Sequence, residues 1–354
     1  MAIQGDVLTH IAERGRAAHV PLEVLFEITH RCNLPCTHCY LPDHADHGEL
    51  SLEEIRGVLD QLAAAGTVFL TLTGGEVTSR SDFLQIVDAA VERGFAIKIL
   101  TNATMITDEV TAALVRANVL EVSVSVYGTD PAIHDAVTEM PGSYERTMAG
   151  IRRMRAAGLH VIMKTPMLAL NGEMAKGVYD LGQIQNMPCS FDMTITPKNN
   201  GDPGPMALAL HQKQLVDMLT QAPWAELLNG SDGNGPGPEP CNAGRGYAAI
   251  GPTGDVMPCI MMPVVVGNLR QRPFAELWAD DPFLARLRKI TAADLTACTS
   301  CGVAGSCSRC PGIAMQRGQD VAGCDLSGKQ VAKARVEARH RLQVLGNSPS
   351  TAVD

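Results

Sequence analysis

The sequence predicts an α/β fold: a partial (β/α)6 TIM-like barrel followed by a small cysteine-rich domain. Three observations carry this expectation. Short β-branched runs alternate with amphipathic stretches through the first two-thirds of the 354 residues. Two Gly- and Pro-rich segments, 196–206 and 228–240, mark exit from the alternation and then a linker. Seven of the eleven cysteines lie beyond the second segment.

Strands are expected at 22–29 (LEVLFEIT), 68–73 (VFLTLT), 96–101 (AIKILT), 119–126 (VLEVSVSV), 160–165 (HVIMKT) and 191–196 (FDMTIT). Helical patterns separate them. In SLEEIRGVLDQLAAAG, Ser51 and Glu54 stand at capping-box spacing, and SYERTMAGIRRMRAAG ends in Gly158. Six such units make an incomplete barrel or an open doubly wound sheet, and the loops after the strands then hold the chemistry. Past the linker, GYAAIGPTGDVMPC reads as a hairpin turning at Pro252–Asp255, and PFAELWADDPFLARLRKI as helical. The expected units are 20–230, 240–326 and a C-terminal helix with a disordered tail over 327–354, the disorder beginning at Asn347.

Composition narrows the function. A net charge of -9, without a basic cluster interleaved with aromatics, argues against a nucleic-acid partner. No apolar run approaches the roughly 18 residues needed to span a bilayer, and the N-terminus lacks the apolar stretch of a secretory signal. No membrane association is expected, and the chain reads as cytoplasmic. In a reducing compartment, eleven cysteines point to metal ligands or catalytic thiols rather than disulfides.

Cys32, Cys36 and Cys39 stand at i, i+4 and i+7, which on a helix would form a core stripe. Pro35 argues for a loop instead, because proline inside a helix removes a hydrogen bond and clashes with the preceding turn. A zinc site would need a fourth ligand, available from His30 or His38. Thiolates also suit an iron–sulfur cluster, in which three cysteines leave one iron open.

This CxxxCxxC loop after the first strand resembles the cluster motif of the radical S-adenosylmethionine (radical SAM) superfamily. The resemblance implies a 4Fe-4S cluster whose open iron chelates the methionine moiety of SAM. It also implies reductive cleavage of SAM to a 5′-deoxyadenosyl radical that abstracts hydrogen from a substrate. His38 stands where the family usually has an aromatic residue beside the adenine. LTLTGGEVTSR resembles the GGE motif, which implies that Gly74 and Gly75 expose backbone groups and Glu76 accepts from the amino group of SAM. LTNATMIT resembles a TNG-like segment, placing Asn102 near SAM, with Ala103 in the place of glycine. SVSVYGTD resembles the strand-four segment SLDG, so Ser125 is expected at the ribose or methionyl end, while Tyr127 replaces an aspartate. Lys164, ending strand five, is a candidate partner for the SAM carboxylate.

The later cysteines form a second pattern. Cys241, Cys259, Cys298, Cys301, Cys307, Cys310 and Cys324 resemble the seven-cysteine SPASM extension of these enzymes. Only five residues separate Cys301 from Cys307, a poor fit to the two knuckles of a zinc ribbon. The small domain is therefore expected to be an iron–sulfur domain with two auxiliary iron–sulfur clusters. The resemblance implies Cys241, Cys259 and Cys310 at the first, and Cys298, Cys301, Cys307 and Cys324 at the second. Two residues separate Cys307 from Cys310 where the family has three, and the first cluster has three cysteines where some relatives show four. Cys189 is left over and reads as a small buried hydrophobe.

SPASM enzymes mostly modify peptides or proteins, so the resemblance implies oxidative modification or cross-linking of a peptide or protein substrate. A flavodoxin- or ferredoxin-type reductant is implied, as is a separate leader-recognition protein if the substrate carries a leader. A small-molecule substrate, of tetrapyrrole or sugar type, is the alternative within enzymes. A non-catalytic iron–sulfur electron carrier is the alternative outside them. Asp255, between two expected ligands, is the candidate catalytic base.

Overall fold

In the computed structural model, which describes residues 7–230 and 240–346, all six expected strands form and pair in chain order. They are β1 (Glu23–Thr29), β2 (Phe69–Gly74), β3 (Ala96–Thr101), β4 (Glu121–Ser125), β5 (Val161–Pro166) and β6 (Cys189–Asp192). Each is parallel to the next. Helices Leu52–Ala64, Phe83–Glu92, Asp108–Arg116, Ser143–Ala156 and Ala175–Gln185 lie among them. Ile55, Leu59, Ile86 and Ile151 from these helices meet Phe26, Leu70, Ile97, Val122 and Met163 from the strands in one buried core. Each such side chain contributes about 1.5–3 kcal/mol by leaving water, so rigidity is concentrated beneath the C-terminal strand ends. The Ser51–Glu54 capping box forms as expected.

Two elements differ from the sequence reading. β6 covers 189–192 instead of 191–196, because the Asp192 carboxylate accepts from the Thr194 N–H at 2.9 Å and turns the chain off the sheet edge. The single helix expected at 273–290 is two, Phe274–Asp280 and Pro282–Lys289. Pro282 opens the second helix and Asp281 caps it, accepting from the Leu284 N–H at 2.9 Å.

The hairpin past the linker forms with its turn as expected, yet it does not start a separate sheet. Its strands β7 (Tyr247–Ile250), β8 (Asp255–Met257) and the short β9 (Gly267–Asn268) extend the barrel sheet in the order β6-β5-β4-β3-β2-β1-β7-β8-β9. β7 runs parallel to β1, Glu23 opposite Tyr247. Antiparallel pairing of Met257 with Ala249 runs β8 back toward the start of β1, and Cys259 lies just past its end. The C-terminal helix Leu326–Gly346 returns to the barrel, packing Val331, Ala334 and Ala338 with Leu215, Val216 and Trp224. The disordered tail expected from Asn347 and most of the linker at 228–240 lie outside the described residues. Among the described residues no helix is long and apolar enough to cross a membrane.

Candidate active site and cysteine clusters

The strand β1 runs straight into the cysteine loop, and neighbouring strand ends hold that loop in place. The Gly75 N–H donates to the Thr29 carbonyl and the Glu76 N–H to the Arg31 carbonyl, both at 2.9 Å. A Cβ on Gly74 would overlap the Thr29 carbonyl oxygen, and its φ of +139° favours glycine independently. The Gly-Gly pair is thus required where β2 closes on the loop. Residues 32–39 are not helical, which removes the core-stripe reading. Thr37 N–H donates to the Val137 carbonyl at 3.0 Å, and Asn199 N–H to the Tyr40 carbonyl at 2.8 Å.

Cys32, Cys36 and Cys39 line a cavity of about 370 Å³ together with His38, Gly74, Gly75, Asn102, Ser125 and Lys164. Burial pushes the Cys32 thiol up to about 11 and Cys36 up to about 12, and raises Cys39 as well. These thiols hold their protons at neutral pH until a cationic metal displaces them. Among the described residues no three His, Cys, Asp or Glu side chains are gathered tightly enough to chelate one metal ion. Three soft sulfurs facing a roomy cavity suit a cluster, whose irons are spread over several atoms, better than a single zinc.

Glu76 does not line this cavity. It is fully buried, and its carboxylate accepts from Thr78 N–H (3.1 Å), Thr78 Oγ1 (2.6 Å), Thr101 Oγ1 (2.7 Å) and Asn102 N–H (2.7 Å). Both carboxylate oxygens accept from these protein donors. Glu76 instead ties the ends of β2 and β3 together beneath the cavity floor. Asn102 braces the cysteine loop: its Nδ2 donates to Asn33 Oδ1 at 2.9 Å, and its Oδ1 accepts from Thr104 Oγ1 at 2.7 Å. Ala103, in the place of glycine, takes φ +58° and is buried. Ser125 and Lys164 are register neighbours on β4 and β5.

His38 is enclosed, with its Nδ1 buried and without a hydrogen-bond partner among the described residues. Burial pushes it down to about 4, so it is neutral near pH 7. It packs edge-on against Tyr127 at 5.1 Å, and Tyr127 against His134 at 5.3 Å.

The candidate base changes. The Asp255 carboxylate faces away from the cavity and accepts from Thr253 Oγ1 and Asn268 Nδ2, each at 2.8 Å, stitching the β7–β9 hairpin. Asp192, at the end of β6, lines the cavity instead. Its side chain faces open cavity space but is walled by protein, which raises its carboxyl above the usual range, partly offset by the Lys164 ammonium. A carboxylate on the cavity wall, within reach of a substrate, is what acid–base work needs. Sequence reasoning missed Asp192 because the true end of β6 places it there.

The later cysteines gather as two groups. Cys298, Cys301, Cys307 and Cys324 line one small cavity with Arg309 and Lys329. Cys241 and Cys310 lie close enough to Cys259 to add to the burial that pushes its thiol up to about 12. Arg309 borders the cavities of both groups, where its charge opposes that of thiolates. Met261, two residues past Cys259, reaches the large cavity wall. Cys189 joins neither group; its Sγ contacts the Val178 and Met187 carbonyls at 3.5 and 3.6 Å. Met257 and Met262, flanking Cys259, are buried.

A radical SAM superfamily model matches residues 26–181, and a model of the SPASM iron–sulfur cluster-binding domain matches 241–311. The AdoMet-dependent heme synthase of Methanosarcina barkeri is 29% identical over 298 residues, covering 76% of this chain and 85% of the relative. The mycofactocin maturase MftC of Mycobacterium tuberculosis is 28% identical over 319 residues, 83% of this chain and 78% of the relative. Among solved structures, Streptococcus suis SuiB bound to its precursor peptide SuiA superposes with a TM-score of 0.68 at 17% identity, covering 93% of this chain and 82% of that one.

Proposed function

Because the chain belongs to the radical SAM superfamily and carries a SPASM iron–sulfur domain, we propose that it is an enzyme that oxidatively modifies or cross-links a peptide or protein substrate. The observation that carries the catalytic reading is the convergence of Cys32, Cys36, Cys39, Gly74, Gly75, Ser125 and Lys164 on one cavity. With SAM and a 4Fe-4S cluster bound there, reductive cleavage of SAM supplies a 5′-deoxyadenosyl radical that takes hydrogen from the substrate.

The chain's own residues divide the remaining work. Cys32, Cys36 and Cys39 would hold the cluster through three sulfurs. Gly74 and Gly75 let backbone approach the methionine moiety, and Glu76 and Asn102 fix the floor and the loop as positioning residues. Lys164 and Ser125 provide a cation and a hydroxyl at adjacent register positions for its polar groups, and neutral His38 offers a flat ring to the adenine. Walls of Leu, Ile and Met exclude water, which an unselective radical requires. Asp192 takes the proton released as the substrate is oxidised. Cys241, Cys259 and Cys310, and Cys298, Cys301, Cys307 and Cys324, would hold two auxiliary clusters, which would supply one-electron redox chemistry. A peptide substrate is favoured by the maturase relative. The heme synthase relative favours a second reading, a tetrapyrrole in the same cavity. A flavodoxin- or ferredoxin-type reductant and a separate leader-recognition protein would complete the system.

Anaerobically reconstituted protein given dithionite and SAM should release 5′-deoxyadenosine. The triple variant Cys32→Ala, Cys36→Ala, Cys39→Ala should lose that release and keep the auxiliary-cluster absorbance. Full iron loading without release would point to an electron carrier. Mass spectrometry of a peptide encoded beside the gene, against a tetrapyrrole carboxylate in parallel, separates the two substrates by which one changes mass.

A further inference from the structure

The reaction cavity has a neighbour. Thr194, Ile195 and Gln316 belong both to its wall and to the wall of a second cavity, of about 460 Å³, which extends along residues 193–210 to the C-terminal helix. The second cavity is lined by apolar side chains such as Met193, Met206 and Leu210 and by the polar Arg317, Ser327 and Gln330, and among the described residues no carboxylate lines it.

Gln316 stands at the junction. It ends the helix Pro311–Gln316, which begins directly after Cys310, and its Nε2 donates to the Met261 carbonyl at 2.7 Å. That bond fixes the amide orientation: the nitrogen is committed, so the group left over is the acceptor Oε1. Oε1 is buried and has no hydrogen-bond partner among the described residues. Native proteins rarely leave a buried acceptor unmatched, and one that is unmatched calls for a partner such as a water or a ligand. A ligand crossing from one cavity to the other passes the Gln316 side chain, and to satisfy its Oε1 it must bring an N–H or O–H. An extended polypeptide does so at every residue, since each non-proline unit carries one N–H.

We propose that Gln316 is a substrate-positioning residue, whose Oε1 accepts a backbone N–H from an extended peptide lying in the second cavity with its target residue in the reaction cavity. The inference rests on the peptide-substrate reading above. It makes the segments bearing Cys259 and Cys310 part of substrate recognition, because Met261 and Gln316 are joined by the bond that orients the acceptor.

The test uses reconstituted, SAM-loaded holoenzyme and a randomised eight-residue peptide display library. The tightest selected peptide is remade with each backbone N–H methylated in turn, and its affinity is measured by fluorescence anisotropy against wild type and Gln316→Met. One methylated position should weaken binding to wild type about tenfold, the effect of stranding a buried acceptor. The same position should cost Gln316→Met less than about twofold, since a steric clash would persist in the variant and a lost hydrogen bond would not. Iron content and cluster absorbance confirm that both proteins are loaded, and the methylation series on wild type stands without the variant. A flat series, or equal sensitivity in wild type and Gln316→Met, overturns the role of Gln316. A selection that yields no peptide overturns the peptide reading itself.

Discussion

Cys32, Cys36 and Cys39 sit in a loop braced by the ends of the barrel strands, whereas Cys298, Cys301, Cys307 and Cys324 line a cavity walled by short turns. Around the first group, hydrogen bonds reach far along the sequence: Gly75 to Thr29, Thr37 to Val137, Asn199 to Tyr40. Around the second they stay local, with Cys301 N–H to Cys298, Ala304 to Cys301 and Cys307 to Ala304, each between 3.0 and 3.1 Å. The second group also has few buried apolar side chains of its own. Arg335 and Arg339 from the C-terminal helix tie Ser306, and the Asp325 carboxylate gathers the Cys310, Ser327 and Gly328 N–H groups. In the barrel, the fold builds the site. In the turn-walled region, bound metal must supply much of the order, as it does in small metal-stabilised domains.

The largest effect expected from this contrast is on iron removal. Chelation under anaerobic conditions should raise amide hydrogen exchange across 298–324 by at least about a hundredfold, because metal binding there is folding free energy. Amides of β1, β2 and β3, held by the buried core, should change by less than about threefold. Hydrogen exchange with mass spectrometry reads both regions in one experiment. Equal loosening of the two would break the comparison.

What the sequence disclosed follows the same division. Five of the six parallel strands were legible within a residue or two because their short β-branched runs stand out between helical patterns, even where burial alternates as in β3 and β5. Cys32, Cys36 and Cys39, like Cys298, Cys301 and Cys307, stand close in sequence, whereas grouping Cys241 and Cys259 with Cys310 rested on the family resemblance. The break at Asp281–Pro282 carried a readable signal, a capping aspartate before a proline, that the helical pattern on either side obscured. The donors that Thr101 and Asn102 bring to Glu76 were not legible, because they come from the end of β3, 25 and 26 residues away. Asp255 misled in the opposite sense: it is close to Cys259 in the chain, but its side chain points to Thr253 and Asn268. Asp192 and Gln316 reach the cavity only through tertiary packing, which no local pattern reports.

Glu76 sharpens the comparison from the barrel side. Replacing its carboxylate by the isosteric amide in Glu76→Gln turns an NH2 group toward donors that need an acceptor, chiefly Asn102 N–H and Thr101 Oγ1. Losing charge-assisted bonds in a fully buried place should cost about 3 kcal/mol. The urea midpoint should therefore fall, with or without iron, while exchange in the 298–324 segment of the loaded protein stays as in wild type. A midpoint shift seen only in the iron-loaded protein would contradict a purely architectural role for Glu76 and restore direct contact with the cofactor.

The smallest effect concerns pH and again belongs to the barrel. His134 is 1% exposed, and its Nδ1 accepts from the Tyr127 N–H at 3.3 Å. Burial pushes it down to about 4 from an ordinary value near 6.5, against a weaker upward pull from Asp135. The unfolded chain therefore binds this proton more readily than the folded one. Its contribution to stability is complete above about pH 6.5 and is lost as pH falls toward 4. By pH 5 the loss should reach about 2 kcal/mol. Urea midpoints of the iron-free protein, taken between pH 7 and 5 so that acid-labile clusters do not intrude, should decline with that slope. His134→Gln should lower stability at pH 7 through lost ring packing against Tyr127 and Tyr144, yet flatten the decline, leaving the part that His38 contributes in the same direction. An unchanged slope in the variant would mean that the His134 ring is hydrated, and that the barrel around the cysteine loop is less tightly closed than the contrast with the turn-walled region requires.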